Sequence, residues 1–142
     1  MKINLITIGK PKLDYAKIGF DLYLKRLKYY HEVNLIIIND SKANEKSIQK
    51  IVSNKFLIVL DIKGQILSSD QLAKMLIKFE YQQKEIYFII GGPNGLPPSI
   101  INQPQFKWSL SNLTFPHDMA IILVTEALFR ASTINLNLPY HK

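Results

Sequence analysis

The sequence predicts an α/β fold with a mostly parallel β-sheet flanked by helices. Short runs rich in β-branched and aromatic residues alternate along the chain with amphipathic segments at helical spacing. Several of these runs are continuously apolar, which is typical of strands that are covered on both faces. At 142 residues and 47% hydrophobic content, the chain suits one domain spanning residues 1–142. We therefore expect right-handed crossovers between parallel strands.

The first strand and helix are predicted from the N-terminal pattern. Lys2 to Gly9 alternates, then becomes apolar and ends at a glycine-lysine-proline turn, which indicates a strand. Asp14 is the predicted N-cap of a helix running from Tyr15 to about Tyr30. That helix has two apolar stripes, so we expect it to be covered on two sides. The stripes are Tyr15, Ile18 and Leu22 on one side and Phe20, Leu24 and Leu27 on the other.

The middle of the chain continues the alternation. Glu32 to Ile38 is predicted to be the second strand, Lys42 to Ile51 a short helix, and Lys55 to Ile62 a third, buried strand. Asp61 lies at the end of this third strand, and an acid at the carboxyl edge of a parallel strand often lies in a ligand crevice. A helix opening at Ser68-Ser69-Asp70 follows, with its apolar residues at i, i+3, i+4 and i+7.

The segment Ile86 to Gly95 (IYFIIGGPNG) organises the rest of the prediction. Its first five residues indicate a buried strand that runs directly into a glycine loop. Gly91 and Gly92 allow a sharp turn and a close approach of a ligand to the backbone. The loop matches neither of the glycine-rich phosphate motifs, and Pro93 has no N–H to donate. A small-molecule loop and an ordinary Asn-Gly turn both remain open interpretations.

The C-terminal third is predicted to hold a short helix, a hydroxyl-rich stretch and a long apolar helix. The short helix runs from Pro97 or Pro98 to about Asn102, and the stretch Trp108 to Phe115 precedes a proline. The long helix, Met119 to about Asn135, is too uniformly apolar for the surface, so we expect it in the core or at an interface. Within it, Glu126 and Arg130 have i,i+4 spacing, which suits a structural or a catalytic ion pair.

Charge and composition restrict the partners. The chain has 18 Lys and Arg residues against 11 acids, a net charge of +7, which favours a polyanionic partner such as RNA. Six of these cations lie between Lys10 and Tyr30, a surface that either faces RNA or is simply solvated. The chain has no cysteine, which excludes disulfides, thiolate metal ligands and a cysteine nucleophile. We expect no metal site.

No targeting or membrane segment is expected. The apolar part of the N-terminus is too short for a signal peptide, and no apolar run approaches the length of a membrane span. We therefore expect a soluble cytoplasmic protein that does not bind membranes.

Four segments resemble one bacterial enzyme family. They are IIGGPNG (Ile89 to Gly95), WSLSNLTFPH (Trp108 to His117), TEALFRA (Thr125 to Ala131) and the terminal PYHK. In order and spacing they resemble RlmH, the large-subunit (23S) rRNA pseudouridine N3-methyltransferases of the SPOUT class, over essentially the whole chain. The resemblance implies an α/β fold with a C-terminal trefoil knot, S-adenosyl-L-methionine bound in the knot, a homodimer, and 23S rRNA of the ribosome as partner.

The resemblance also implies site residues. The family's cofactor contacts fall on Leu60, Gly91, Leu110, Ser111, Asn112, Leu113, Thr114 and Phe115. Tyr140, His141 and Lys142 resemble the family's tail, which is brought to the active site and is assigned the catalytic role. Our hypothesis is that His141 accepts or relays the N3 proton of the pseudouridine, while Lys142 stabilises negative charge or phosphate.

Two departures from the family pattern and two alternatives accompany this prediction. Ile121 stands where the family usually has an arginine, four residues beyond the Pro-His pair. The polar region from Asp40 to Lys55 is shorter than usual. The alternative functions are a non-enzymatic basic protein of RNA binding or ribosome assembly, and a SPOUT methyltransferase that acts on tRNA.

Overall fold

The fold is a five-stranded parallel sheet with helices on both faces. The computed structural model describes residues 1–142, and the strands lie in the order β2-β1-β4-β3-β5 with parallel pairing throughout. The predicted α/β class and parallel sheet are confirmed. The elements are β1 (Lys2–Ile8), α1 (Asp14–Lys28), β2 (Glu32–Ile38), α2 (Glu45–Val52), β3 (Leu57–Ile66), α3 (Ser69–Gln82), β4 (Glu85–Ile90), α4 (Pro98–Ile101), β5 (Phe106–Ser109) and α5 (His117–Asn135).

Alternate residues of the strands supply two separate cores. Ile3, Leu5 and Phe88 point to the face covered by α1, α3 and α5 and are almost completely buried. Ile6 and Ile89 point to the opposite face, where the shorter helices α2 and α4 pack. This two-sided burial follows from the period of two along a strand and explains why the strands are apolar throughout.

The long helix α5 lies in the core, as its composition predicted. Ile121, Val124 and Leu128 have no exposed surface, and α5 packs against both α1 and α3. A Cβ atom added at Gly19 of α1 would lie 3.2 Å from the Cδ1 atom of Ile122, so the two helices approach closely there. Because Ile121 is fully buried, this position belongs to the core and presents nothing to a partner.

The predicted N-cap at Asp14 is wrong. Leu13 occupies the cap position without a side-chain hydrogen bond, and Asp14 is the first helical residue. The backbone N–H groups of Lys12 and Leu13 instead donate to the carboxylate of Asp118, at the start of α5. An acceptor from a distant element therefore takes the place of a local cap.

The expectation that α1 is covered on two sides is not met within one chain. Ala16, Phe20, Leu24 and Leu27 are buried against the core. Tyr15, Ile18 and Leu22, which we call the outer stripe, are 50%, 71% and 43% exposed. A single sheet face can cover only one side of a helix, so any cover for the outer stripe must come from outside the chain.

Boundaries differ from the prediction in the middle of the chain. The second helix begins at Glu45 because Asn44 and Ser47 form a reciprocal capping box, with a short 3-10 turn at Asp40–Lys42 before it. Strand β3 continues past Ile62 to Ile66 and pairs with β5 again after a register shift. None of the helices combines the length and apolarity needed to cross a membrane.

Candidate functional site

A cleft opens at the carboxyl ends of β3, β4 and β5. Its volume is about 660 Å³, which is in the range of small-molecule sites. Asp61 lies in its wall, as expected for an acid near the carboxyl edge of the sheet. Seven of the eight residues predicted to bind a cofactor line it: Leu60, Gly91, Leu110, Ser111, Leu113, Thr114 and Phe115. Asn112 is exposed and does not line the cleft.

Apolar side chains and main-chain groups make up most of this wall. Leu60, Leu96 and Trp108 contribute hydrocarbon and aromatic surface, while Asp61 and His117 are its ionisable side chains. Such a wall suits a ligand with an aromatic and an aliphatic part that is recognised by backbone hydrogen bonds. No three His, Cys, Asp or Glu side chains are grouped closely enough to hold a metal ion.

The glycine loop after β4 is both a tight turn and part of the cleft. The N–H of Gly95 donates to the carbonyl of Gly92 at 3.0 Å, and Gly95 has a φ of 72°, in the left-handed region. A Cβ atom at Gly92 would lie 3.0 Å from the carbonyl oxygen of Ile8, so the loop passes directly against the end of β1. The predicted turn is therefore present, and the same loop lines the cleft.

The opposite wall is the hydroxyl-rich loop between β5 and α5. The Ser109 hydroxyl donates to the carbonyl of Ser111 at 2.9 Å, and the Ser111 hydroxyl accepts from the N–H of Leu113 at 3.1 Å. These local bonds hold the loop without using a regular element. Leu113 remains 70% exposed at the mouth of the cleft.

His117 links the two loops. Its Nδ1 lies 2.7 Å from the carbonyl oxygen of Gly91, and because a carbonyl can only accept, Nδ1 carries the proton of this bond. Nε2 is buried and has no partner within the chain. In the neutral ring it is the acceptor nitrogen, so a donor entering the cleft could reach an otherwise unpaired group.

Asp118 ties the same end of α5 to the loop after β1. Its carboxylate accepts from Lys12 N at 3.0 Å and from Leu13 N at 2.8 Å. Burial acts to raise the pKa of Asp118, but the two backbone hydrogen bonds outweigh it and hold the pKa below its usual value. From the sequence, Pro116 and His117 are a boundary and part of a motif of resemblance, whereas Asp118 is not singled out. An acid in the first turn of a helix is ordinarily explained by its favourable interaction with the helix dipole.

The C-terminal tail forms a second polar group of residues, which we call the tail cluster: Glu126, Arg130, Tyr140 and His141. Arg130 donates to Glu126 Oε1 from Nε at 2.9 Å and from Nη2 at 2.6 Å. The Tyr140 hydroxyl donates to the same oxygen at 3.0 Å. Nη1 of Arg130 lies 3.1 Å from Nδ1 of His141. The i,i+4 pair seen in the sequence thus anchors the terminal residues.

A left-handed residue turns the tail back over α5. Asn137 has a φ of 55°, and the N–H of Leu138 donates to the carbonyl of Thr133 at 2.9 Å, a helix-ending pattern that reverses the chain. The ring of Tyr140 then meets that of Phe129 edge to face, with centroids 4.6 Å apart. His141 is half-buried as a result, while Lys142 is exposed.

The electrostatics of the tail cluster keep its members in defined states. The hydrogen bond to Glu126 raises the pKa of Arg130 further above its already high ordinary value. Burial, together with the hydrogen bond to Glu126, raises the pKa of Tyr140 to about 12. At neutral pH the guanidinium is therefore charged and the phenol keeps its proton.

The cleft and the tail cluster lie at different heights along α5. Glu126 follows His117 by nine residues on the same helix, a rise of roughly 13 Å. The structure thus groups the predicted cofactor-binding residues and separately groups Tyr140 and His141. Within one chain it does not bring the two groups together.

Comparisons with known proteins agree with one another. A family model described as "Predicted SPOUT methyltransferase" matches residues 1–141. A protein of Deinococcus radiodurans is 40% identical over 100% of this chain and 99% of its own length. One of Halothermothrix orenii is 36% identical over 100% of both chains. Each is named "Ribosomal RNA large subunit methyltransferase H".

Solved structures share the fold at low sequence identity. A probable methyltransferase from Bordetella pertussis aligns with a TM-score of 0.56 at 10% identity, covering 92% of this chain and 95% of its own. The SpoU methyltransferase AviRb from Streptomyces viridochromogenes, solved in complex with the cofactor AdoMet, gives 0.52 at 12% identity, covering 96% and 61%. The five-stranded architecture is therefore one that methyltransferases use.

Proposed function

The chain belongs to the SPOUT methyltransferase family, and from that premise we propose that it transfers a methyl group from S-adenosyl-L-methionine to N3 of a pseudouridine in 23S rRNA, on the assembled ribosome. The observation that carries the proposal is the cleft in which Leu60, Gly91 and the loop 110–115 converge. The full-length relatives named for methylation of large-subunit ribosomal RNA support the choice of RNA.

The residues of the cleft fit the proposed methyl donor. Its adenine and methionine parts need apolar walls, which Leu60, Leu110 and Phe115 supply, and a backbone that a ligand can approach, which Gly91 supplies. When bound there, S-adenosyl-L-methionine supplies a methyl group that its sulfonium already activates. The task left to the chain is to align the acceptor base and to manage the N3 proton.

We further propose that the C-terminal part of the chain forms the trefoil knot of the family. Hydrogen bonds tie the start of α5 to two earlier loops: His117 donates to Gly91, and Lys12 and Leu13 donate to Asp118. This close attachment supports a C-terminal segment that passes between earlier parts of the chain. The complete burial of Ile121 and Leu128 agrees with a helix that passes through the interior.

The working unit in this proposal is a homodimer. One tail cluster lies too far along α5 to serve its own cleft, so Tyr140, His141 and Lys142 would act at the cleft of a second copy. The exposed outer stripe of α1 supports this, since large apolar side chains at this spacing are what an interface covers. Helix α1, which carries the stripe, packs against α5, where Met119 is also 39% exposed.

The RNA-binding surface we propose is the basic N-terminal third. All six of its cations are exposed: Lys10, Lys12, Lys17, Lys25, Arg26 and Lys28. Lysine side chains suit phosphate contacts more than base recognition, so they would orient the ribosome without selecting the nucleotide. Lys142 of the tail would add a cation next to the target base. His141 would face the uracil edge, where an imidazole can either accept the N3 proton or donate a hydrogen bond to a neighbouring oxygen.

The test of this function is a methylation assay on mapped RNA. The protein is incubated with labelled S-adenosyl-L-methionine and with ribosomes that lack the modification, and the labelled nucleotide is identified. Separated subunits and tRNA are assayed in parallel. We expect label at N3 of one pseudouridine in 23S rRNA of assembled ribosomes. Label on tRNA would replace the proposed substrate, and the absence of saturable cofactor binding in a calorimetric titration would contradict the proposal altogether.

A further inference from the structure

The contact between Arg130 and His141 defines which ring nitrogen carries the proton. The guanidinium has no acceptor atom and stays protonated, so Nη1 donates and Nδ1 of His141 accepts across the 3.1 Å between them. A neutral imidazole that accepts at Nδ1 carries its hydrogen on Nε2. Arg130 itself is held by two hydrogen bonds to Glu126, and its Cζ lies 4.7 Å from the centroid of the Tyr140 ring.

From this geometry we propose that Arg130 is a positioning residue that holds His141 with Nε2–H directed outward. His141 then serves methyl transfer as a hydrogen-bond donor to an oxygen of the target base and not as the base that removes its N3 proton. The inference rests on the function proposed above and specifies the role of one residue in it. It replaces the sequence-based hypothesis that His141 accepts or relays that proton.

The chemistry of the acceptor base explains why a donor is useful. N3 of a uracil ring lies between two carbonyl groups, so loss of its proton spreads the negative charge over both oxygens. A fixed N–H aimed at one of them stabilises that anion where it develops. In the step we propose, the N3 proton passes to water, N3 forms a bond to the methyl carbon, and the carbon–sulfur bond breaks with its electron pair left on sulfur.

The alternative role is incompatible with the observed contact. To accept a proton, Nε2 must be bare, and a neutral ring with a bare Nε2 carries its hydrogen on Nδ1. That hydrogen would point at the N–H of Arg130, which places two donors against each other. His141 could act as a base only after leaving Arg130, and Glu126 with Tyr140 holds Arg130 in place.

The first test compares glutamine with alanine at position 141. A glutamine amide offers an N–H near the position of Nε2 and an oxygen that can accept from Arg130, but it is not a base. We expect His141→Gln to keep the single-turnover methylation rate within roughly 10-fold of wild type, while His141→Ala falls by roughly 100-fold or more. Equal losses in the two variants would overturn the proposal.

The second test uses pH. A neutral imidazole that accepts from Arg130 keeps its hydrogen on Nε2 and needs no change of protonation to donate, so the ratio of the wild-type rate to the His141→Gln rate should stay constant from about pH 7.5 to about pH 9. The other ionisable groups around the ring are common to both proteins and cancel in the ratio: Glu126, Arg130, Tyr140, Lys142, Tyr23 and Arg26. A ratio that rises with pH would identify His141 as a base.

The third test separates positioning from folding. If Arg130 acts through His141, Arg130→Met should lower the rate roughly 10-fold in the wild-type background and add nothing in the His141→Ala background. Arg130→Lys, which keeps a charged donor, should recover part of the rate. Lys78→Met on the exposed side of α3 is the matched control. An Arg130→Met loss of the same size in both backgrounds would mean a structural role and would contradict the proposal.

The same experiments distinguish failure of this inference from failure of the proposed function. If the wild-type protein methylates no ribosomal RNA, the function itself is wrong. If the wild type methylates and His141→Gln is as slow as His141→Ala, the function stands and only the donor role is refuted. Thermal unfolding of each variant shows whether a low rate reflects an unfolded protein.

Discussion

The cleft and the tail cluster differ in chemical composition, since the first is mainly apolar and the second is polar. The cleft is formed by apolar side chains and backbone, with Asp61 and His117 as its ionisable groups. The tail cluster consists of four polar side chains joined by hydrogen bonds of 2.6 to 3.1 Å. The first arrangement suits holding a ligand, and the second suits stabilising a charge that develops during a reaction. One helix, α5, carries both at different heights.

The largest expected effect comes from a substitution in the tail cluster, and it tests whether the cleft and the tail cluster have separate roles. His141→Ala should slow methylation by roughly 100-fold or more while leaving the dissociation constant of S-adenosyl-L-methionine within about twofold, because His141 does not line the cleft. Single-turnover rates and calorimetry measure the two quantities, with Lys78→Ala as control. A large loss of cofactor affinity would show that the tail cluster also contributes to cofactor binding and would contradict this division.

A substitution in the cleft should weaken cofactor binding and leave the methylation rate nearly unchanged. His117→Phe removes the donor that holds the carbonyl of Gly91 while keeping an aromatic ring of similar size. We expect cofactor affinity to fall roughly 10-fold, since an unpaired carbonyl and a loosened glycine loop cost about 1–3 kcal/mol. The rate at saturating cofactor should change little. A variant that binds the cofactor normally but methylates slowly would show that His117 acts in the reaction and not in cofactor binding.

A substitution of Asp118 tests how much its charged carboxylate stabilises the contact between the start of α5 and the loop after β1. Asp118→Asn should lower the free energy of unfolding by about 1–3 kcal/mol at neutral pH, because two backbone donors lose a charged acceptor. The pKa of Asp118 is lower in the folded than in the unfolded chain, so its contribution is complete above the unfolded value of about 3.9 and is lost as pH falls through the folded value. Chemical unfolding should therefore show a constant difference between the two proteins from neutral pH down to about pH 4, and that difference should shrink only as the pH falls further.

A substitution in the outer stripe tests whether the cleft of one subunit and the tail cluster of another meet across a dimer interface. Ile18→Glu should raise the dimer dissociation constant by roughly 10-fold or more, because a charge would be buried at the interface. Sedimentation measures the change, and Ile77→Glu, which alters an isoleucine 39% exposed on α3, is the matched control. Equal behaviour of the two variants would remove the outer stripe from the interface. A monomeric Ile18→Glu that still methylates would show that each cleft uses its own tail.

The smallest effect is expected on the basic surface. Replacing Lys17 or Lys25 with glutamine should reduce the slope of log affinity against log salt by about 1 for each phosphate that the lysine neutralises, and it should leave the methylated nucleotide unchanged. Ribosome binding at several salt concentrations provides the measurement. An unaltered slope would mean that these lysines are only solvated.

Much of the fold followed from short-range pattern. The strands β1, β2 and β4 lie within one residue of their predicted bounds, and the burial of α5 was readable from its composition. These features depend on the periodicity of neighbouring side chains, which a sequence displays directly. Even the grouping of Leu60, Gly91 and the loop 110–115 could be anticipated, although through resemblance and not through spacing.

Tertiary structure alone decided the contacts between distant segments. Asp118 and Lys12 are 106 positions apart, and His117 reaches Gly91 across 26, so no local pattern joins them. For the same reason Asp14 looked like a cap, and the outer stripe looked buried. The sequence by itself determined which segments form strands and helices, because that choice is made among neighbours. Packing determined which nitrogen of His141 accepts a hydrogen bond, because that depends on the guanidinium of Arg130, eleven residues earlier, on the helix over which the tail folds back.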